Sequence, residues 1–431
     1  MWRWLFSGYC VALAMHLDPN QIIEPTTQLY GTTWEFEVYN AFVHGDAVGK
    51  TAIVIRDKLS KRVFFPGPTL VVAQGSTLNV TFFNKMDHVS MSVHWHGLDQ
   101  RDSPWMDGVP SVTQEPIQCD RSFQYIIPLH TQTGTYWWHS HSATQYVDGL
   151  FGGLVIQPTT TITAKQQPAA IAQDTTLLLQ EFYHRESTTI DGELSGNVWL
   201  ETGHFPDWQS GLINGRGTSS CNQSVVYLPN ANASLLCSEA YNGNYELVVQ
   251  ANNTYKLRII NAASGYTLRF SIDKHSFTVV AMDGKDIEPF ECDEVYVYVA
   301  QRYDVLLVAN QVPDAYWMRA RTLPDVHGGC YTVSGVVRYE SSTSTIPQPP
   351  SEPTNSLVVE SSVVRAQTIP NPPSDVFQQI QITVLKTSTK KKASKHRDPC
   401  FFLFRWIVIV TNGAVLSTMF RLSHLSYQVC C

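Results

Sequence analysis

The feature that most limits how this chain can fold is a succession of short β-prone runs separated by turn-forming residues. Across residues 29–158 no helical period lasts long enough for a substantial helix. The expected strands are Thr33 to Val38, Thr51 to Arg56, Thr69 to Val72, Thr77 to Phe83, Ser90 to Trp95, Ser122 to Ile127 and Gly134 to His139. Alternation is clearest in Thr77-Leu78-Asn79-Val80-Thr81-Phe82, and Pro66-Gly67-Pro68 is a strong turn signal. This pattern predicts an all-β sandwich or small barrel over 29–158. Residues 159–175 loosen into Thr, Gln, Pro and Ala and read as a linker. A second β region follows over 176–340, with strands expected at Thr176 to Gln180, Tyr245 to Val249, Tyr255 to Asn261, Phe277 to Met282, Val295 to Val299, Val305 to Val308 and Tyr331 to Arg338.

Two of the early strands carry paired histidines. Val93-His94-Trp95-His96-Gly97 and Trp137-Trp138-His139-Ser140-His141 each hold a His-x-His among aromatic residues. Side chains alternate across a strand, so His94 and His96 share one face, as do His139 and His141. Four imidazoles can thus converge on one metal site, and neutral imidazole suits copper, zinc, iron and nickel. With 14 His in the chain, one such pair is easily an accident; two, both bracketed by Trp, are much less so.

Composition narrows the setting. A net charge of −7 with 16% charged residues leaves no basic stripe over the main body, which argues against a nucleic-acid partner. Met1 to Ala14 reads as a secretory signal: Arg3 leads, Leu5 to Leu13 is largely apolar, and Ala12-Leu13-Ala14 fits a small-x-small cleavage site. Sequons at Asn79, Asn222, Asn232 and Asn252 agree with a secreted glycoprotein. Of nine Cys, Cys221 and Cys237 can close a loop worth about 3 kcal/mol in an oxidising compartment, and Cys292 with Cys330 is a second candidate pair. Residues 341–375 are rich in Ser, Thr and Pro and read as an extended linker. Within 376–431, one further strand is expected to begin at Asp375 to Leu385, before a basic stretch, Lys386 to Arg397, and an apolar run, Phe401 to Phe420. That run has the length of a membrane anchor, but Lys390-Lys391-Lys392 would then lie on the outer side, against the positive-inside tendency. The preferred reading is an aberrant tail outside any domain.

Taken together, Phe65-Pro66-Gly67-Pro68, Gln74-Gly75, His94-Trp95-His96-Gly97, Asp107-Gly108-Val109-Pro110, Gly134 to His141 and Asp148-Gly149-Leu150-Phe151-Gly152 resemble the multicopper oxidases, and within them the laccase-like enzymes. Gly211 to Gly217, Leu257-Arg258-Ile259-Ile260-Asn261 and Gln301-Arg302-Tyr303-Asp304 extend the resemblance to about residue 340. The resemblance implies tandem cupredoxin-like Greek-key sandwiches. It assigns His94 to a type 2 copper and His96, His139 and His141 to paired type 3 coppers, with O2 and a phenol, aromatic amine or metal ion as reactants. Trp95, Trp137 and Trp138 are expected as apolar walls of the site. Asp107 is read as an Asp-Gly turn residue, with an outer carboxylate role as the alternative, and Asp207 as an exposed turn residue, with substrate orientation as the alternative. His184, His204, His275 and His327 are dispersed and read as ordinary histidines.

The departures are equally specific. The family's His-Cys-His for the type 1 copper, and the His-x-x-His-x-His that completes the three-copper cluster, occur nowhere in the 431 residues. The third domain therefore reads as incomplete after about Leu385, with type 1 copper expected only in a fuller form. The runner-up reading is a non-catalytic copper-binding protein. A mononuclear zinc hydrolase lacks a well-placed general base.

Overall fold

A computed structural model describes residues 23–159, 170–195, 206–221, 237–323, 331–345 and 347, with strand segments at 358–359, 406–411 and 414–419. The first β body pairs two sheets. One runs Ile23–Glu24, Val63–Phe64, Gly49–Asp57, Thr33–His44, Thr77–Asn84, Ser122–Pro128 in spatial order; the other runs Gln28–Tyr30, Thr69–Ala73, Phe151–Gln157, Gly134–Ser140, Val93–His96. The alternation of Thr77–Asn84 turns Leu78, Val80 and Phe82 inward, where they meet Leu70, Val72, Trp95, Tyr125, Trp138 and Leu154. Burying a side chain such as Phe82 contributes about 1.5–3 kcal/mol. All seven strands expected in this body are present, and its only described helical element is the 3-10 turn Pro104–Met106.

The second body repeats the scheme with Ser210–Ile213, Ile171–Phe182, Thr254–Asn261, Arg302–Val308, Phe277–Met282, Lys285–Cys292 in one sheet and Tyr245–Val249, Thr332–Tyr339, Ala315–Thr322, Leu268–Ile272, Glu294–Val297, Val358–Val359 in the other. Its first strand begins at Ile171, inside the stretch expected as a linker. Five strands of this body were not expected from the sequence: Ser210–Ile213, Leu268–Ile272, Lys285–Cys292, Ala315–Thr322 and the two-residue Val358–Val359. Nor was the helix Ser187–Ser195.

Apolar and polar contacts join the bodies. Trp137 and Phe151 of the first pack on Leu178, Ile260 and Ala262 of the second, and Val54 and Phe65 pack on Phe182 and Leu212. This explains the unbroken Leu177-Leu178-Leu179: Leu177 and Leu179 face the second core while Leu178 faces Trp137. Arg258 donates to Thr135 Oγ1 and Asp304 Oδ2, each at 2.8 Å, and grips Asp174 with Nε and Nη2. Lys50 and Ser187 converge on Asp148, and His184 and Ser210 on Asp46. Buried charges of this kind hold a fixed geometry because each partner lost leaves another unsatisfied.

Cys221 and Cys237 form the expected disulfide across 16 residues. Cys292 is a buried free thiol, so the second pairing is not made; Cys330 lies outside the described residues. Thr368–Cys431 is a separate unit, described only as an antiparallel hairpin of Trp406–Thr411 with Ala414–Met419. The strand expected from Asp375 lies outside the described residues, and among the described residues no helix is long and apolar enough to cross a membrane.

Candidate metal centre

The edge strand Val93–His96 pairs antiparallel with Gly134–Ser140, setting His139 opposite His94 and Trp137 opposite His96. Directly opposed residues share a face. His94, His96, Trp137 and His139 therefore point one way, and Val93, Trp95, Tyr136 and Trp138 point into the first core. The ligand nitrogens of His94, His96 and His139 lie within 4.8 Å of one another. His141 continues the pairing past the strand end through its backbone N–H to Ser92 O at 3.2 Å, and its ring centre is 5.5 Å from that of His94. The structure thus brings three of the four predicted histidines into one cluster, with His141 beside it.

Each ring is aimed by its surroundings. His94 Nδ1–H donates to the backbone carbonyl of Asp107 at 2.7 Å, with the Asp107 carboxylate 3.3 Å away, leaving Nε2 for a metal. Asp107 is both the turn residue that was expected and the outer partner of a histidine. Gly108, at φ +82, is required there: a Cβ would lie 1.8 Å from Val93 O. His139 Nδ1 bonds to Ser140 O at 2.9 Å, and its Nε2 is buried with no hydrogen-bond partner. Ser140 Oγ donates to Gln145, whose amide in turn donates to Ser90 O, clamping the turn that carries His141.

Burial lowers the pKa of His96 to about 2, helped by the Arg302 charge and the other imidazoles, and that of His139 to about 3, helped by His94. His141 is lowered by burial and then by His94. These rings are therefore neutral across the physiological range, the form that binds metal. Neutral nitrogen donors in one cluster, one of them buried and unpartnered, fit a metal ion; imidazole alone does not choose among copper, zinc, iron and nickel.

The expected wall of three tryptophans is corrected. Only Trp137 lines the site, stacked on His139 with ring centres 4.2 Å apart and 5.3 Å from His96. Trp95 and Trp138 face the opposite side because they occupy the alternate positions of the same strands. Arg302 was missed as a site residue. It crosses from the second body, donates through Nε to Thr135 O at 3.1 Å, and pairs with Asp283 at 2.9 Å. Gly97 gives it room, since a Cβ there would meet Arg302 Nη2 at 2.5 Å. The other described histidines stand apart: His184 pairs with Asp46, and His275 sits between Asp273 O and the Tyr339 hydroxyl. His204 and His327 lie outside the described residues. Asp207 accepts the Tyr331 hydroxyl beside a cluster of Trp208, Tyr266 and Tyr331 rings.

Tandem β-sandwiches with a histidine cluster on a sheet edge define a metal-binding all-β protein. Two family models described as multicopper oxidase match residues 62–161 and 173–342, together more than half of the chain. The chain belongs to the multicopper oxidases, a copper-binding family of oxidoreductases. It is laccase-like: Laccase-2 of Thanatephorus cucumeris is 35% identical over 297 residues, covering 66% of this chain and 44% of that protein. The crystal structure of laccase from Botrytis aclada is 30% identical with a TM-score of 0.61, covering 78% of this chain and 56% of that one. Fet3p, a multicopper oxidase that functions in iron import, shares the fold at 24% identity and a TM-score of 0.63, covering 82% of this chain and 60% of that one. The chain thus spans about half the length of the relatives it matches.

Proposed function

We propose that His94, His96, His139 and His141 are copper ligands and form one half of the multinuclear copper site of a secreted, laccase-like oxidase. The observation that carries this is the cluster of three imidazole nitrogens within 4.8 Å, one of them buried without a partner. Copper, when bound, supplies the one-electron chemistry that couples oxidation of a phenol, aromatic amine or metal ion to reduction of O2 to water. The protein's own part is to hold neutral imidazoles in place. Asp107 fixes the tautomer of His94, Trp137 covers His139, and the second body holds the Gly134–Ser140 strand at Thr135 through Arg258 and Arg302. The Cys221–Cys237 disulfide supports an oxidising compartment.

The four histidines lie within the first body and can hold copper by themselves. A second reading on the same ligands is a copper-binding protein without oxidase turnover. Metal analysis after dialysis, with O2 uptake on a phenol, tests both. Copper at about one or two ions per chain, lost in His94→Ala and His139→Ala, supports the ligand assignment. Phenol-dependent O2 uptake by this chain favours the oxidase reading, and copper retained by both variants refutes the ligands.

A further inference from the structure

The second body carries a set of hydrogen-bond donors that the copper site does not use. Along Ala315–Thr322, Tyr316, Met318 and Ala320 enter the core, so Trp317, Arg319 and Arg321 take the opposite face. Leu268–Ile272 likewise sends Leu268, Phe270 and Ile272 inward and Arg269 and Ser271 outward. The register sets Ser271 opposite Arg319 and Arg269 opposite Arg321, a juxtaposition of like charges that is unfavourable unless something negative sits nearby. For the latter pair Glu294 supplies that negative charge, 3.4 Å from Arg269 Nε and 3.8 Å from Arg321 Nη2.

Asp273 engages Arg319 through Nη1. Arg319 Nη2, Ser271 Oγ and Trp317 Nε1 are then buried with no hydrogen-bond partner. They are neighbours: Ser271 and Arg319 face each other across the ladder, and the Arg319 guanidinium lies 5.6 Å from the Trp317 ring centre. Arg319 is 6% exposed and Ser271 3%. Guanidinium and indole N–H groups only donate, and the Asp273 carboxylate is engaged through Nη1, so Arg319 Nη2 and Trp317 Nε1 are buried donors with the desolvation cost that an acceptor would remove. Arg269, two residues before Ser271 on the same face of its strand, has a side chain 30% exposed.

We infer that Arg319, Ser271 and Trp317 form a binding site for a small oxyanion, with Arg269 beside it. The matched chemistry is an oxygen-rich anion of the sulfate, phosphate or carboxylate type: one charged N–H, one indole N–H and one hydroxyl meet acceptor oxygens. The site is independent of the copper ligands.

The full chain, titrated with sodium sulfate against sodium chloride at matched ionic strength, provides the test. The Trp317 indole resonance, assigned through Trp317→Phe, is expected to shift saturably with sulfate and not with chloride. Ser271→Ala, a small change that should leave folding intact, is expected to weaken sulfate binding about tenfold, as for one hydrogen bond to a charged group. A parallel titration with acetate shows whether a carboxylate serves as well. An indole that responds to no oxyanion beyond the chloride control overturns the site, and so does a response that Ser271→Ala leaves unchanged.

Discussion

Gly108→Ala tests whether the Asp107-Gly108 turn is what aims His94. Gly108 sits at φ +82, and an added Cβ would lie 1.8 Å from Val93 O, 2.4 Å from Val93 C and 2.9 Å from His94 N. All three are backbone atoms of the edge strand, so no side chain can swing away to relieve the contact. Real Cβ atoms essentially never approach closer than 3.0 Å, so turn and strand must separate by more than 1 Å. The left-handed backbone costs roughly 1–2 kcal/mol for a residue with a Cβ, and overpacking adds roughly 1–3 kcal/mol. The expected loss is about 3 kcal/mol of folding stability, read by urea denaturation. The same displacement draws Asp107 O away from His94 Nδ1, now 2.7 Å apart. Copper affinity should therefore fall about 10- to 100-fold, as when a partner that orients a ligand is lost. Gly192→Ala is the control: it lies in the helix Ser187–Ser195 with nothing within 4 Å, and should gain about 0.5–1 kcal/mol. A Gly108→Ala protein as stable as the wild type, with unchanged copper affinity, would refute the packing of this turn against the strand.

Asp107→Ala should weaken copper binding less than Gly108→Ala does, because the backbone bond from His94 Nδ1 to Asp107 O is retained, and should alter stability by less than about 1 kcal/mol; titration calorimetry and urea melts separate the two effects. Trp138→Ala should cost about 3–5 kcal/mol through the core cavity and the lost Nε1 bond to Pro68 O, whereas Trp137→Phe should chiefly lower copper affinity; equal stability losses in the two would contradict the opposed faces. His96 and His139 have folded pKa values below the unfolded 6.5, so the unfolded chain takes up protons first and metal-free stability falls as pH drops below about 6.5. Each contributes a slope of up to about 1.4 kcal/mol per pH unit down to its folded pKa. Between pH 6.5 and 5, before most carboxylates titrate, urea midpoints should decline, and His96→Gln should flatten the decline. Reducing Cys221–Cys237 should cost about 3 kcal/mol for its 16-residue loop, seen as a lower urea midpoint in dithiothreitol.

The period of two made the first body and the four histidines legible, because a strand buried on one side must alternate. The same rule already contained the correction on the tryptophans: Trp95 lies between His94 and His96, and Trp138 adjoins His139, so neither can share the histidines' face. Of the unexpected strands, Ala315–Thr322 and Leu268–Ile272 do keep the period of two, with Arg319, Arg321 and Arg269 on their second face, so the same rule covers them; Lys285–Cys292 departs from it, being largely polar and holding Pro289, as suits a sheet edge. Arg302 could not be read as a site residue locally. Its contact with Thr135 joins positions 167 residues apart and exists only once the two bodies pack.

That packing explains why a body with no clustered ligands among its described residues still shapes the centre. Val93–His96 ends its sheet, so His94 and His96 have a strand partner on one side only. The other ladder partner, Gly134–Ser140, therefore sets their position, and it is held on two faces. Tyr136 and Trp138 anchor it in the first core, while Trp137 is pinned against Leu178 and Ile260, and Thr135 is held by Arg258 and Arg302. Loosening the second body should then disturb His139 before it disturbs the first core. The other edge of Val93–His96 is held without a strand: the Tyr125 hydroxyl accepts Val93 N–H at 2.9 Å, and the Asp107-Gly108 turn packs against Val93 O.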